Sequence, residues 1–194
     1  FVAKVWNFRL ANHYHHQRWR CHRAYNGGQR VGKSTLQAFA LALSLFFAGC
    51  FDNKFATTEN KAYKFSFNGF EKRLSYGESK PYALAFFTKD CAVCAEQIRI
   101  LNALQGRFEL EFLAVLKDAQ DKTDAKLWAQ SKNLALPLFF EARASEFLAR
   151  AVGGIYGVPV IVFVDEKGIL GKKFIGLTPQ SVLEKELTNA TLKP

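Results

Sequence analysis

The stretch FFTKDCAVC (Phe86–Cys94) decides how this chain is read. It closes an apolar run, YALAFFT (Tyr82–Thr88), with the composition of a buried strand. From Cys91 to about Gln105, the apolar positions Val93, Ile98, Leu101 and Leu104 fall on or near one face of a helix. The two cysteines therefore stand where a strand hands over to a helix. Free N–H groups of a first helical turn, and the positive end of its dipole, favour a thiolate there. A spacing of three lets the second sulfur reach the first across one turn. In that arrangement Cys91 attacks, or is attacked, and Cys94 resolves the mixed disulfide.

Two other uses of a cysteine pair compete with this one. A structural zinc takes about four Cys or His ligands. After residue 50 there is no His and no second cysteine pair, so no metal is expected. A buried inert pair is opposed by the charged neighbours Lys89 and Asp90, which suggest an exposed loop mouth. Lys89 should favour a thiolate at Cys91 and Asp90 should oppose it.

Outward from this stretch, strands alternate with helices. YKFSF and EKRLSY bracket Asn68-Gly69, a hairpin signal. LEFLAVL (Leu110–Leu116) is a second apolar strand, DKTDAKLWAQSKN a helix and ALPLFF a short strand. EARASEFLARAVG is a helix closed by Gly153. VIVFV is a strand, Asp165 to Gly168 a turn, and ILGKKFIG its hairpin partner. TPQSVLEKELTNA is a last helix, with Thr178 placed to cap it and Pro179 in its first turn. The pattern predicts an α/β domain over residues 63–194: a central mixed β-sheet flanked by helices, with an N-terminal β-hairpin.

FFTKDCAVC with its helix, followed by YGVPVIVFVDEKGILGKKFIG, resembles the thioredoxin superfamily. Within it, the likeness is to the TlpA/ResA-like membrane-anchored thiol–disulfide oxidoreductases, and it covers about Tyr63 to the C-terminus. The resemblance implies a thioredoxin-like fold. It implies catalysis by the Cys91–Cys94 dithiol with no bound cofactor. It also implies a cis peptide at Pro159, with Val158 and Pro159 pairing with the substrate polypeptide as an added strand. Protein thiols and disulfides would be the substrates, for example in cytochrome c maturation. A membrane partner would supply the electrons and the protein would act as a monomer. A thiol oxidase or isomerase, and a non-catalytic binding module, are the alternatives on the same fold. The chain departs from the family in two places. Asp90 stands where a tryptophan usually precedes the first cysteine, and Ala85 stands where many thioredoxins bury an acid. Glu96 is a further candidate for proton transfer, against a solvated helix face.

The amino-terminal quarter has a different character. The net charge of +10 is concentrated there: seven bases and no acid precede Asp52, together with all four His. Residues 1–30 have no period of two or 3.6 and read as a leader without packed structure, and no nucleic-acid partner is expected. STLQAFALALSLFFAGCF (Ser34–Phe51) is uncharged and follows Arg30 and Lys33, so residues 31–49 read as a signal segment. Its end, FAGC (Phe47–Cys50), resembles the lipobox of bacterial lipoproteins, which implies lipidation of Cys50. An uncleaved anchor is the other reading, and either places the remainder outside the cytoplasm. Residues 50–62 are polar with scattered Phe and read as a tether.

GGQRVGKST (Gly27–Thr35) matches the phosphate-loop pattern G-x-x-x-x-G-K-[ST]. Such a loop needs a buried strand before it, and RWRCHRAYN is too charged to be one. VIVFVDE (Val160–Glu166), which mimics the acidic strand of nucleotide hydrolases, is equally well read as a strand closed by a D-x-x-G turn. A nucleotide hydrolase is therefore set aside.

Overall fold

The computed structural model describes residues 53–191. The leader, the signal segment, GGQRVGKST and Cys50 lie outside these residues. Two short antiparallel ribbons come first: β1 (Lys54–Ala56) with β2 (Ala62–Lys64), then β3 (Ser66–Asn68) with β4 (Arg73–Ser75). The remaining elements are β5 (Tyr82–Phe87), α1 (Cys94–Leu104), β6 (Glu111–Leu116), α2 (Lys122–Ser131) and β7 (Leu138–Phe139). After them come α3 (Ala142–Ala151), β8 (Val160–Val164), β9 (Leu170–Ile175) and α4 (Gln180–Thr191). β5 to β9 form one five-stranded sheet in the order β7-β6-β5-β8-β9. β5, β6 and β7 run parallel, whereas β8 is antiparallel to both β5 and β9. This is the expected thioredoxin-like mixed sheet.

β5 is central because its six residues are all buried, as a strand covered on both faces must be. Its side chains alternate between two cores. Ala83, Ala85 and Phe87 pack with Ile98 and Leu101 of α1, Trp128 of α2 and Leu183 and Leu187 of α4. Tyr82, Leu84 and Phe86 pack with Leu148 of α3 and with Phe55, Tyr63, Phe65 and Leu74 from the ribbons. Each buried ring of this second core stabilises the fold by about 1.5–3 kcal/mol. Their rims interlock, as where Tyr76 meets Tyr82 edge-on at 4.7 Å. The Tyr82 hydroxyl donates to the Leu74 carbonyl at 2.7 Å, and two other tyrosines share one acid. Tyr63 and Tyr76 both donate to the Glu111 carboxylate, at 2.7 and 3.1 Å, and Lys61 pairs with it at 3.0 Å. Burial, and then this carboxylate, push both phenols well above the ordinary tyrosine range.

Several expectations are corrected here. The stretch read as a tether holds β1, with Phe55 only 1% exposed, and its scattered phenylalanine signals core rather than linker. The expected hairpin around Asn68-Gly69 is present as β3–β4, and a second ribbon, β1–β2, precedes it, because YKFSF divides between two partners. One ribbon is laced to β7, where the Thr58 N–H donates to the Leu138 carbonyl at 2.9 Å. The other meets the β8–β9 turn, where the Leu74 N–H donates to the Gly168 carbonyl at 2.7 Å. Gly168 has φ +79°, and a Cβ there would sit 2.9 Å from the Leu74 carbonyl oxygen, so this approach needs glycine. The Asn68-Gly69 turn spans four residues between paired Asn68 and Arg73, with Asn68 Oδ1 accepting from the Phe70 N–H at 3.1 Å. Helix α1 begins at Cys94 rather than Cys91. The Thr178 hydroxyl donates to the Gly176 carbonyl at 3.3 Å.

Candidate active site

The register of β5 against β8 decides what can meet what. Phe86 pairs with Val160. One strand ends as the other begins, so Thr88–Cys91 and Val158–Pro159 emerge at the same edge of the sheet. Cys91 and Cys94 are joined there by a disulfide, with an S–S distance of 2.04 Å and Cα atoms 5.3 Å apart. The two sulfurs have unequal surroundings. Cys94 opens α1 and is fully buried in the first core, while Cys91 is partly exposed and packs on its margin. The Cys94 N–H donates to the Cys91 carbonyl at 3.3 Å, a turn that places Cys91 off the positive end of α1.

The four residues named for catalysis and substrate binding are thus brought together. The Val158–Pro159 bond is cis, Pro159 is buried, and Val158 packs against both cores. The loop leading to it is tied from two sides. Lys117 Nζ, at the end of β6, donates to the Ile155 carbonyl at 3.2 Å. Lys173 Nζ, on β9, donates to the carbonyls of Val152 and Gly154. The Pro159 carbonyl itself accepts from the Gly176 N–H at 2.8 Å.

The β5–Cys91 loop is fixed by acids. The Lys89 N–H donates to both carboxylate oxygens of Asp118 at 3.0 Å, and Lys89 Nζ pairs with Asp124 at 2.9 Å. The Gln120 N–H, and then Lys89, hold the Asp124 carboxyl below its ordinary range. The Lys89 ammonium that was expected to favour a thiolate at Cys91 is therefore largely matched by Asp124, and Asp90 is exposed. Glu96 is exposed and bound by Arg99 at 2.6 and 2.9 Å, so it belongs to the solvated helix face. Ala85 is fully buried, and its register partner on β6 is Ala114, also fully buried. Among the described residues, no carboxylate, amine or imidazole is fully buried.

The second half of VIVFVDE is also explained. Asp165 Oδ1 accepts from the N–H groups of Lys167 and Ile169 at 2.9 and 2.7 Å, so this acid closes the β8–β9 turn.

A residue the sequence did not single out is Gln97. It is fully buried one turn after Cys94. Its Oε1 accepts from the Thr178 N–H at 2.7 Å and its Nε2 donates to the Thr178 carbonyl at 3.4 Å. The available signal was an amide on the otherwise apolar inner face of α1.

A family model described as the AhpC/TSA family matches residues 54–173, from the first residue of β1 into β9. The chain belongs to the AhpC/TSA family. Solved structures of similar fold include a thiol:disulfide interchange protein of the thioredoxin family from Chlorobium tepidum. It is 16% identical with TM-score 0.52, and the match covers 72% of this chain and 93% of that one. The pneumococcal exposed lipoprotein thioredoxin from Streptococcus pneumoniae is 19% identical with TM-score 0.55, covering 71% and 98%. A putative thiol:disulfide interchange protein DsbE from Chlorobium tepidum is 18% identical with TM-score 0.56, covering 72% and 93%. At these identities they establish the thioredoxin-like fold. No curated protein matches this AhpC/TSA-family chain.

The unequal exposure of the two sulfurs has a direct consequence. After reduction, brief treatment with iodoacetamide should label Cys91 and spare Cys94, as read by peptide mass spectrometry. Equal labelling of both cysteines would contradict this picture.

Proposed function

We propose that this protein is an extracytoplasmic, membrane-anchored thiol–disulfide oxidoreductase that reduces protein disulfides, for example in cytochrome c maturation. The observation that carries the reading is the asymmetric disulfide. A partly exposed Cys91 stands over a fully buried Cys94, at the sheet edge where the cis Val158–Pro159 segment emerges. The steps follow from that asymmetry. In the reduced protein, the Cys91 thiolate attacks one sulfur of a substrate disulfide. A Cys91–substrate disulfide forms, and the other substrate sulfur leaves as a thiolate. Cys94 then attacks Cys91 Sγ, the Cys91–Cys94 disulfide closes and the second substrate thiol is released. Two electrons pass from the dithiol to the substrate; one substrate thiol takes the Cys94 proton and the other takes from water the proton that Cys91 gave up on forming its thiolate. Among the described residues no carboxylate is fully buried to take the Cys94 proton, so the departing substrate thiolate is assigned that role.

The backbone beside Pro159 suits an extended substrate segment laid along the site. The exposed apolar side chains Val93, Tyr156, Ile175 and Leu177 are carried by the segments that meet at this edge, which suits a polypeptide better than a small charged thiol. Reduction requires that the dithiol be regenerated. Outside the cytoplasm, a membrane electron donor is the class of partner that can do so. Anchoring rests on FAGC and the apolar segment before it. Among the described residues, no helix is long and apolar enough to cross a membrane. The lipoprotein named among the fold relatives gives the reading further support.

Reduction of insulin by the dithiothreitol-driven protein should proceed well above the uncatalysed rate and fall to background in Cys91→Ser. Activity retained in that variant would refute the enzymatic reading. For the anchor, cells given radiolabelled fatty acid should label the wild-type chain and not Cys50→Ala. Equal labelling, or none in either, would remove the lipid.

A further inference from the structure

We infer that Gln97 is a positioning residue: its buried amide fixes the Val158–Pro159 segment relative to the disulfide, through Thr178 and Gly176. The inference rests on the functional reading above, because it names how that site is held in register.

The covalent frame alone does not set this distance. Cys91 and Cys94 belong to the β5–α1 connection, and Val158–Pro159 to the start of β8. The β9–α4 connection bridges them. On one side, the Gly176 N–H donates to the Pro159 carbonyl at 2.8 Å. On the other, Thr178 offers its N–H and its carbonyl to the two ends of the Gln97 amide, at 2.7 and 3.4 Å. The Thr178 hydroxyl closes the short span between them by donating to the Gly176 carbonyl at 3.3 Å. Gln97 lies three residues after Cys94 on the same helix, so the two are neighbours on its inner surface. Both are fully buried, and Thr178 is 6% exposed.

A buried amide with both ends engaged is directional in a way that an apolar contact is not. It accepts from one backbone N–H and donates to one carbonyl of the same residue, which permits one orientation of the loop against α1. Leu101 and Leu104 of α1 share the first core with Leu183 and Leu187 of α4, an apolar contact that tolerates sliding, and the exposed Arg107–Glu184 pair ties α4 only to the far end of α1. Gln97 is therefore the buried polar contact that ties the start of α1 to the β9–α4 connection and, through it, to Pro159. Lys117 and Lys173 fix the loop before Pro159, and Gln97 fixes what lies after it. A substrate strand laid along Val158–Pro159 feels that placement when it binds.

The test uses the full chain and two variants, Gln97→Ala and Gln97→Glu. Hydrogen exchange of the Gly176 amide should speed up by about tenfold in Gln97→Ala, the loss expected of one buried hydrogen-bonding pair, while the β5 amides keep their protection. For insulin reduction, KM should rise by about tenfold with kcat changed less than threefold, the pattern of lost positioning for binding rather than lost chemistry. Gln97→Glu keeps an acceptor for the Thr178 N–H and should fall between wild type and Gln97→Ala on both measures. It also carries the test if the alanine variant does not fold. Unchanged exchange at Gly176 would overturn the inference, as would a fall in kcat at constant KM. If the wild-type protein reduces no insulin, the functional reading fails, and exchange at Gly176 still decides whether Gln97 is a latch.

Discussion

Phe86 lies opposite Val160, and that pairing of antiparallel neighbours at the centre of the sheet is the constraint on which the rest of the structure depends. It makes the end of β5 and the beginning of β8 coincide. The first delivers Thr88 to Cys91, and the second is preceded by the cis Val158–Pro159 bond. A register shift of one residue would turn every β5 side chain to the opposite core. Alanines 83 and 85 face the helix that carries Cys94, while Tyr82, Leu84 and Phe86 face the aromatic core beneath the ribbons. Ala83, Ala85 and Phe87 on one face and Tyr82, Leu84 and Phe86 on the other are not interchangeable, so the pairing that places the site is the one that packing enforces.

The electrostatic character of the site follows from what is buried and what is matched. Ala85 and Ala114 are register partners on β5 and β6, both fully buried, so this part of the core carries no charge. Lys89 is held by Asp124, and Glu96 by Arg99. What remains to stabilise a thiolate at Cys91 is its position off the positive end of α1, together with partial exposure to water. The site depends on backbone placement more than on charged side chains. Lys117 and Lys173, which reach the loop before Pro159 from β6 and β9, fit that description, since both donate to carbonyl oxygens of that loop.

The parts legible in the sequence were those with a strong local signal. The runs YALAFF and VIVFV could only be buried strands, and Cys91 and Cys94 stood at the end of one of them. The resemblance that surrounds them supplied the cis proline, which no local propensity would have suggested. The amino-terminal ribbons were less legible. Their strands are three residues long and take their stability from partners distant in the chain, such as Phe55 against Phe147. In a polar stretch, one such phenylalanine is indistinguishable from a linker residue. Gln97 was missed for the same reason. A glutamine on a helix has no local meaning until Thr178, far along the chain, is brought against it. GGQRVGKST, the stretch with the most specific motif, lies outside the described residues, and its companion VIVFVDE ends in the acid of a turn.

The central claim is that Cys91 exchanges electrons with another protein's disulfide and Cys94 completes the transfer. Its most direct measurement is the intact mass of Cys94→Ser after reaction of the reduced protein with a disulfide-bonded polypeptide. The account requires a covalent adduct on Cys91, released by dithiothreitol and absent from the wild type, where Cys94 resolves it. An adduct that never forms, or one that forms through another residue in Cys91→Ser, would contradict the account.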